Sequence, residues 1–178
     1  MASFDVFFPT MLKHEGGFVN DPVDPGGATN KGVTMGTFQS CAKKYLGIEP
    51  TLENLKALTD AQAAKIYKPL YWDVVRGDEI ELQALADIVF DFQVNAGGAA
   101  SKLLQRVLND LGAAPALEVD GAVGPGTMAA LNKADPKAVY RAYKQGRIDY
   151  YQDLVKRRPP LGKFLNGWLK RVNSFPAL

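Results

Sequence analysis

The chain has one cysteine and one histidine. A single thiol, Cys41, excludes an internal disulfide framework. One His with one Cys cannot make a zinc site of common composition. No apolar run reaches the ~18 residues of a membrane span. The N-terminus, MASFDVFFPTMLKHE, lacks a basic start followed by a long apolar core, so it does not read as a secretory signal. The expectation is a chain made in the cytoplasm, without a signal peptide and without stable membrane insertion. Low-complexity tracts and internal repeats are absent too. Acidic residues are scarce in one region. Residues 137–178 hold ten Lys or Arg against Asp149 and Asp153, a balance of +8, whereas the remainder holds 11 basic and 17 acidic residues, a balance of −6. A basic end beside an acidic body fits an anionic polymer partner, or else a solvated helix face.

What is present is an ordinary globular composition: 178 residues, 47% hydrophobic and 22% charged. That is enough for one domain with room for an appended subdomain. Phe4, Phe7, Phe8, Met11 and Leu12 share one face at helical spacing, with Ser3 as N-cap. Pro9 predicts that this helix is kinked or begins late. Gly16-Gly17 should stop it. Residues 16–36 are rich in Gly and Pro, and "GFVND" and "KGVTMG" each leave room for a short strand, together a small irregular β-ribbon. The rest reads as helix: "TFQSCAKKYLG" ended by Gly47, "TLENLKAL", "TDAQAAKIYKPLYWD" with Thr59 and Gln62 at capping-box spacing, "LQALADIVFDFQVNAGG", "ASKLLQRVLNDLG" and "MAALNK". Asp135-Pro136 opens a long helix to about Arg158, and Pro159-Pro160 closes it. The predicted fold class is mainly α, of α+β type, with one β-ribbon after the first helix.

The ribbon region carries the unusual residues. Glu15 ends an apolar helix, where the backbone's partial negative charge disfavours a carboxylate. Phe18 would add desolvation. A glutamate kept protonated is what a general acid needs, and Gly16-Gly17 would let a bulky ligand approach it. Asp24 lies nine residues on and Asp21 six. Either could face Glu15 across a cleft, as in the paired carboxylates of glycoside hydrolysis. Asp before Pro is equally ordinary turn chemistry. His14 is expected to point away. The run NDPVDPGG does not fit the EF-hand calcium loop.

Two further groups suggest a ligand cleft. Asp87, Asp91 and Asn95 recur at i, i+4 and i+8, one face of an otherwise apolar helix. Asp91 and Asn95 would bond a sugar on a cleft floor or brace the ribbon; the competing expectation is a caged structural network. Tyr71 and Trp72 could stack on sugar rings, Trp72 being the better candidate for core packing.

The segment HEGGFVNDPVDPGGATNKGVT resembles the opening motif of glycoside hydrolase family 108, phage-type and bacterial N-acetylmuramidases also labelled secretion activators. The resemblance implies a lysozyme-like fold and makes Glu15 the catalytic acid. Phage lysozymes more widely place an Asp after eight intervening residues and a Thr after five more. Glu15 and Asp24 match the first spacing. Thr29 comes one residue early, with Asn30 in the matching place. "IYKPLYWD" resembles the family's helix after the ribbon. "IVFDFQVNAGGAASKLLQ" and "FLNGWLKRV" resemble the predicted peptidoglycan domain found C-terminal in these proteins. "LQRVLNDLGAAPALEVDGAVGPGTMAALN" resembles peptidoglycan-binding repeats; physically its glycines serve tight turns, and Thr127 would cap the next helix.

These readings give a catalytic region at 1–83 and a peptidoglycan-binding helical region at 84–178, packed as one compact unit. The expected activity is cleavage of the β-1,4 bond between N-acetylmuramic acid and N-acetylglucosamine by Glu15 and Asp24. Thr29, Tyr71, Asp91 and Asn95 are the expected substrate contacts, with no cofactor and no metal. The expected partner is the peptidoglycan glycan strand, met in the periplasm by a monomer, with a holin for release as in phage systems. Alternatives are a lytic transglycosylase using Glu15 alone, a non-catalytic wall-binding or secretion-associated protein and, lacking any recognisable motif, a nucleic-acid binder.

Overall fold

The fold is seen in a computed structural model that describes residues 1–22 and 27–178. The chain divides into two compact units, residues 4–73 and residues 74–178 together with 1–3. Asp24 lies outside the described residues.

The first unit opens with helix α1, Phe4–Glu15, which includes Pro9 and starts at Phe4 instead of starting late. Burial decides this. Phe4, Phe7, Phe8 and Met11 are buried, each contributing about 1.5–3 kcal/mol. An interior proline costs roughly 3 kcal/mol. Pro9 and Asp5 both lie on the exposed side, where the Asp5 carbonyl, denied its helical donor, can take water. Gly16 ends the helix at φ +77, its amide donating to Leu12 O at 3.1 Å.

The ribbon is smaller than expected. Strands β1, Thr29–Asn30, and β2, Val33–Thr34, pair antiparallel, with Thr29 opposite Thr34. "GFVND" contributes one bridge, Val19 to Thr29, and no strand. The two-residue connection Lys31-Gly32 has φ +52 and +77, the pair of left-handed residues that a type I′ hairpin turn demands. Thr34 then caps helix α2, Met35–Cys41, which passes through a π-helical turn to Gly47 at φ +66. Helix α3, Leu52–Lys56, is capped by Thr51, and helix α4, Asp60–Tyr67, by the Thr59/Gln62 capping box. A second π-helical turn, Lys68–Trp72, closes the unit. Met11, Phe38, Leu55, Ile66 and Trp72 are fully buried, and Trp72 meets Phe4 edge-on at 5.8 Å. Trp72 is therefore core.

The second unit centres on helix α5, Gln83–Ala96. Its neighbours are α6, Gly98–Asp110, α7, Pro125–Lys133, α8, Pro136–Arg157, and α9, Leu165–Asn173. Residues 1–3 belong here because Gln83 bonds the Ser3 backbone twice, accepting from its amide at 2.9 Å and donating to its carbonyl at 3.0 Å. Asp135 caps α8 as expected. Thr127 does not cap α7. That helix starts at Pro125 behind Gly124, and Thr127 is buried, accepting from Gln105 Nε2 at 3.3 Å. The same amide reaches Asp120 Oδ1 and Ala122 O, and Gln105 Oε1 accepts from Gly121 N at 2.9 Å. The glycine-rich loop is thus tied down by one buried glutamine. Among the described residues, no helix is long and apolar enough to cross a membrane.

Candidate active site

Glu15 is half-buried at the last position of α1. The hairpin turn lies against it. A methyl group added at Gly32 would sit 2.9 Å from both Glu15 Cβ and Glu15 Oε2 and would collide with the Tyr67 hydroxyl. Gly32 is therefore required twice, for its positive φ and for this close approach. The Tyr67 hydroxyl donates to Lys31 O at 2.7 Å, and its ring packs between Phe8 at 5.5 Å and Tyr71 at 5.4 Å. Lys31 Nζ pairs with Asp60 Oδ1 at 2.7 Å, at the other end of α4.

Tyr71 is half-buried in the π-helical turn. Burial pushes its phenol up, and the neighbouring Cys41 and Glu15 add in the same direction. Its hydroxyl therefore stays a hydrogen-bond donor at neutral pH, within the field of the glutamate. The arrangement is a carboxyl enclosed by a helix end, a glycine turn and two phenols. Chemically it can present one proton to an oxygen and offer a phenol as a polar aromatic contact.

Two of the residues expected from the sequence, Glu15 and Tyr71, come together here. Thr29 is half-buried on β1, and both its backbone groups bond Val19 at 2.8 Å. Asn30 is an anchor: it is buried, and its amide donates to Leu55 O at 2.9 Å and Lys56 O at 3.1 Å. The C-terminus of α3 thereby holds the hairpin. His14 and Asp21 are exposed. Phe18 lies beneath the Lys56 ammonium, 5.7 Å from its ring centroid.

Asp91 is corrected. It is not on a cleft floor: it is fully buried in the second unit, and its oxygens are taken by two arginines. Arg147 Nη2 donates to Oδ2 at 2.7 Å, and Arg171 bonds both oxygens at 2.8–3.1 Å. Arg147 is itself fully buried and lies 4.9 Å from the Phe92 ring centroid. Its Nε and Nη2 reach the Tyr151 hydroxyl, which donates to Asn95 Oδ1 at 2.6 Å. The stripe on α5 is a caged network joining α5, α8 and α9. Asn95 is its exposed end. Asp87 stands apart, half-buried, accepting from Gln83 at 2.6 Å. Burial pushes its carboxyl up to about 6, against the smaller lowering effect of the Gln83 amide.

Among the described residues, no group of three His, Cys, Asp or Glu side chains is placed to hold a metal ion.

A helical fold with a short ribbon behind its first helix is of the lysozyme-like type. The family comparisons agree: residues 8–97 match Glycosyl hydrolase 108, and residues 99–173 match the Predicted Peptidoglycan domain. The chain belongs to the glycosyl hydrolase 108 family. It is similar in structure to SagA of Brucella abortus, with a TM-score of 0.76 and 30% sequence identity, over 97% of this chain and 90% of that one. No curated protein matches it. The two family matches meet at Gly98, the first residue of α6.

Sequence reasoning missed Gly32 and Tyr67. Lys31-Gly32 is not one of the usual hairpin pairs, and Tyr67 carries no signal beyond that of a core aromatic.

Proposed function

We propose that this peptidoglycan-directed glycoside hydrolase is an N-acetylmuramidase, hydrolysing the β-1,4 bond between N-acetylmuramic acid and N-acetylglucosamine. Glu15 protonates the glycosidic oxygen. Asp24 activates a water on the opposite face of the sugar, which gives inversion. Inversion needs roughly 6.5–9.5 Å between the carboxyls, retention roughly 5–5.5 Å. The Pro- and Gly-rich sequence around Asp24 favours leaving room for water over pressing the carboxyl onto the sugar. Tyr71 and Thr29 contact substrate. Lys156, Arg158, Lys163 and Lys170, exposed in a stretch without a single carboxylate, attract the anionic wall.

The observation that carries this reading is the enclosure of Glu15: one half-buried carboxyl at a helix end, walled by Gly32, Tyr67 and Tyr71. Clearance of a wall suspension by the wild type, lost in a folded Glu15→Gln variant by at least ~10²-fold, tests it. A lytic transglycosylase is the second reading, since among the described residues the enclosure holds one carboxyl, Glu15, beside two phenols. That reaction leaves an anhydro sugar end.

A further inference from the structure

We infer that Tyr67 is a positioning residue for Glu15, acting through the hairpin turn, an inference that rests on Glu15 being the catalytic acid. Glu15 needs such help. It is the last residue of α1, where a helix frays, and its side chain has three rotatable bonds. Left alone, its carboxyl would sample several poses, and only some would face a glycosidic oxygen.

The turn restricts it. Gly32 brings backbone so close to Glu15 Cβ and Oε2 that no atom larger than hydrogen fits on its α-carbon. That wall works only while the turn stays down, and the turn is itself under strain. Lys31 is one of two non-glycine residues with positive φ among those described, a conformation that L-residues persist in only when their surroundings enforce it. Beside the Asn30 anchor on α3, two bonds from α4 reach Lys31 itself. One is the ion pair to Asp60, whose side chain is 72% exposed, so water and salt weaken it. The other is the Tyr67 hydroxyl bond to Lys31 O, made by a residue that is 1% exposed. Better shielded from water than the ion pair, the hydroxyl bond is the firmer pin. Phe8 and Tyr71 fix the ring that carries it, so α1, the turn and the π-helical turn are referenced to one phenol.

The consequence is pre-organisation. Holding the carboxyl before substrate arrives speeds the chemical step and leaves affinity nearly unchanged. Tyr67→Phe keeps the ring and removes the pin. We expect kcat on soluble glycan fragments to fall about tenfold, a 1.4 kcal/mol effect, with KM within about twofold. Asp60→Asn, which removes the exposed bond, should change kcat less than about twofold. Gly32→Ala should be harmful alone and less harmful in the Tyr67→Phe background, because its methyl then no longer meets the hydroxyl. A second readout needs no activity: the two Glu15 γ-protons should be resolved in the wild-type NMR spectrum and should merge in folded Tyr67→Phe. Unchanged kcat and unchanged Glu15 resonances in Tyr67→Phe would overturn the inference, as would a KM effect without a kcat effect. Wild-type-like cleavage by Glu15→Gln would instead remove the reading of Glu15 as acid, while the NMR comparison would still decide whether Tyr67 orders it. Should Tyr67→Phe not fold, Gly32→Ala gives the same kcat and resonance readouts.

Discussion

Removing the charge of Asp91 should unfold the second unit more readily without harming the chemistry. Asp91→Asn keeps the shape but removes the carboxylate charge that two guanidinium groups share. Arg147 is the critical one: it has no exposed surface, and its Nη1 already lacks a hydrogen-bond partner. Breaking one side of a buried ion pair costs about 3–5 kcal/mol, because the stranded charge stays buried. An asparagine oxygen can still accept from one arginine, which pulls the expectation to the lower end, about 3 kcal/mol. With a urea slope of about 2 kcal/mol per M, the midpoint should fall by about 1.5 M. Urea titration followed by far-UV circular dichroism measures this. Activity per folded molecule should stay within about twofold. A loss below about 1 kcal/mol, together with a tenfold or greater fall in activity, would refute the reasoning and return Asp91 to the substrate.

Asp87 gives a pH test. Its folded value of about 6 lies above the unfolded value of about 3.9. The folded state therefore holds the extra proton between them, and stability falls as pH rises from about 4 to about 6. The full difference corresponds to about 3 kcal/mol, which solvent screening reduces to about 1–2 kcal/mol. Asp87→Asn should stabilise by that amount at pH 7.5 and not at pH 3.5, as thermal melts at the two pH values would reveal. Asp24→Asn should cost more clearance activity than Asp21→Asn; the reverse order assigns the base to Asp21. Tyr71→Ala should raise KM about tenfold, as the loss of one aromatic contact of about 1–1.5 kcal/mol would, and Tyr71→Phe less; steady-state kinetics on glycan fragments separate the two.

Local signals carried the fold. Thr59 and Gln62 spell a capping box, Asp135-Pro136 spells a helix start, and glycines 16 and 47 stop their helices, because each depends only on neighbours along the chain. Pro9 did not delay the helix start, because the phenylalanines that outweigh it act through tertiary burial. Thr127 misled because its partner, Gln105, is 22 residues away. At the candidate site, the helix-end position of Glu15 was legible, because Gly16-Gly17 follows it directly. Asp91 was legible as buried and polar, but its partners Arg147 and Arg171 lie 56 and 80 residues on. No spacing rule on α5 could announce them. Tyr67 was hidden for the same reason: it reads as a core aromatic until the turn it holds is seen in space.

The central claim is that Glu15 drives hydrolysis of the glycan strand. Mass analysis of fragments released from purified peptidoglycan tests it most directly. The account predicts fragments ending in reducing N-acetylmuramic acid, each having gained one water, and none from folded Glu15→Gln. Fragments ending in an anhydro sugar, or the same hydrated fragments from folded Glu15→Gln, would contradict it.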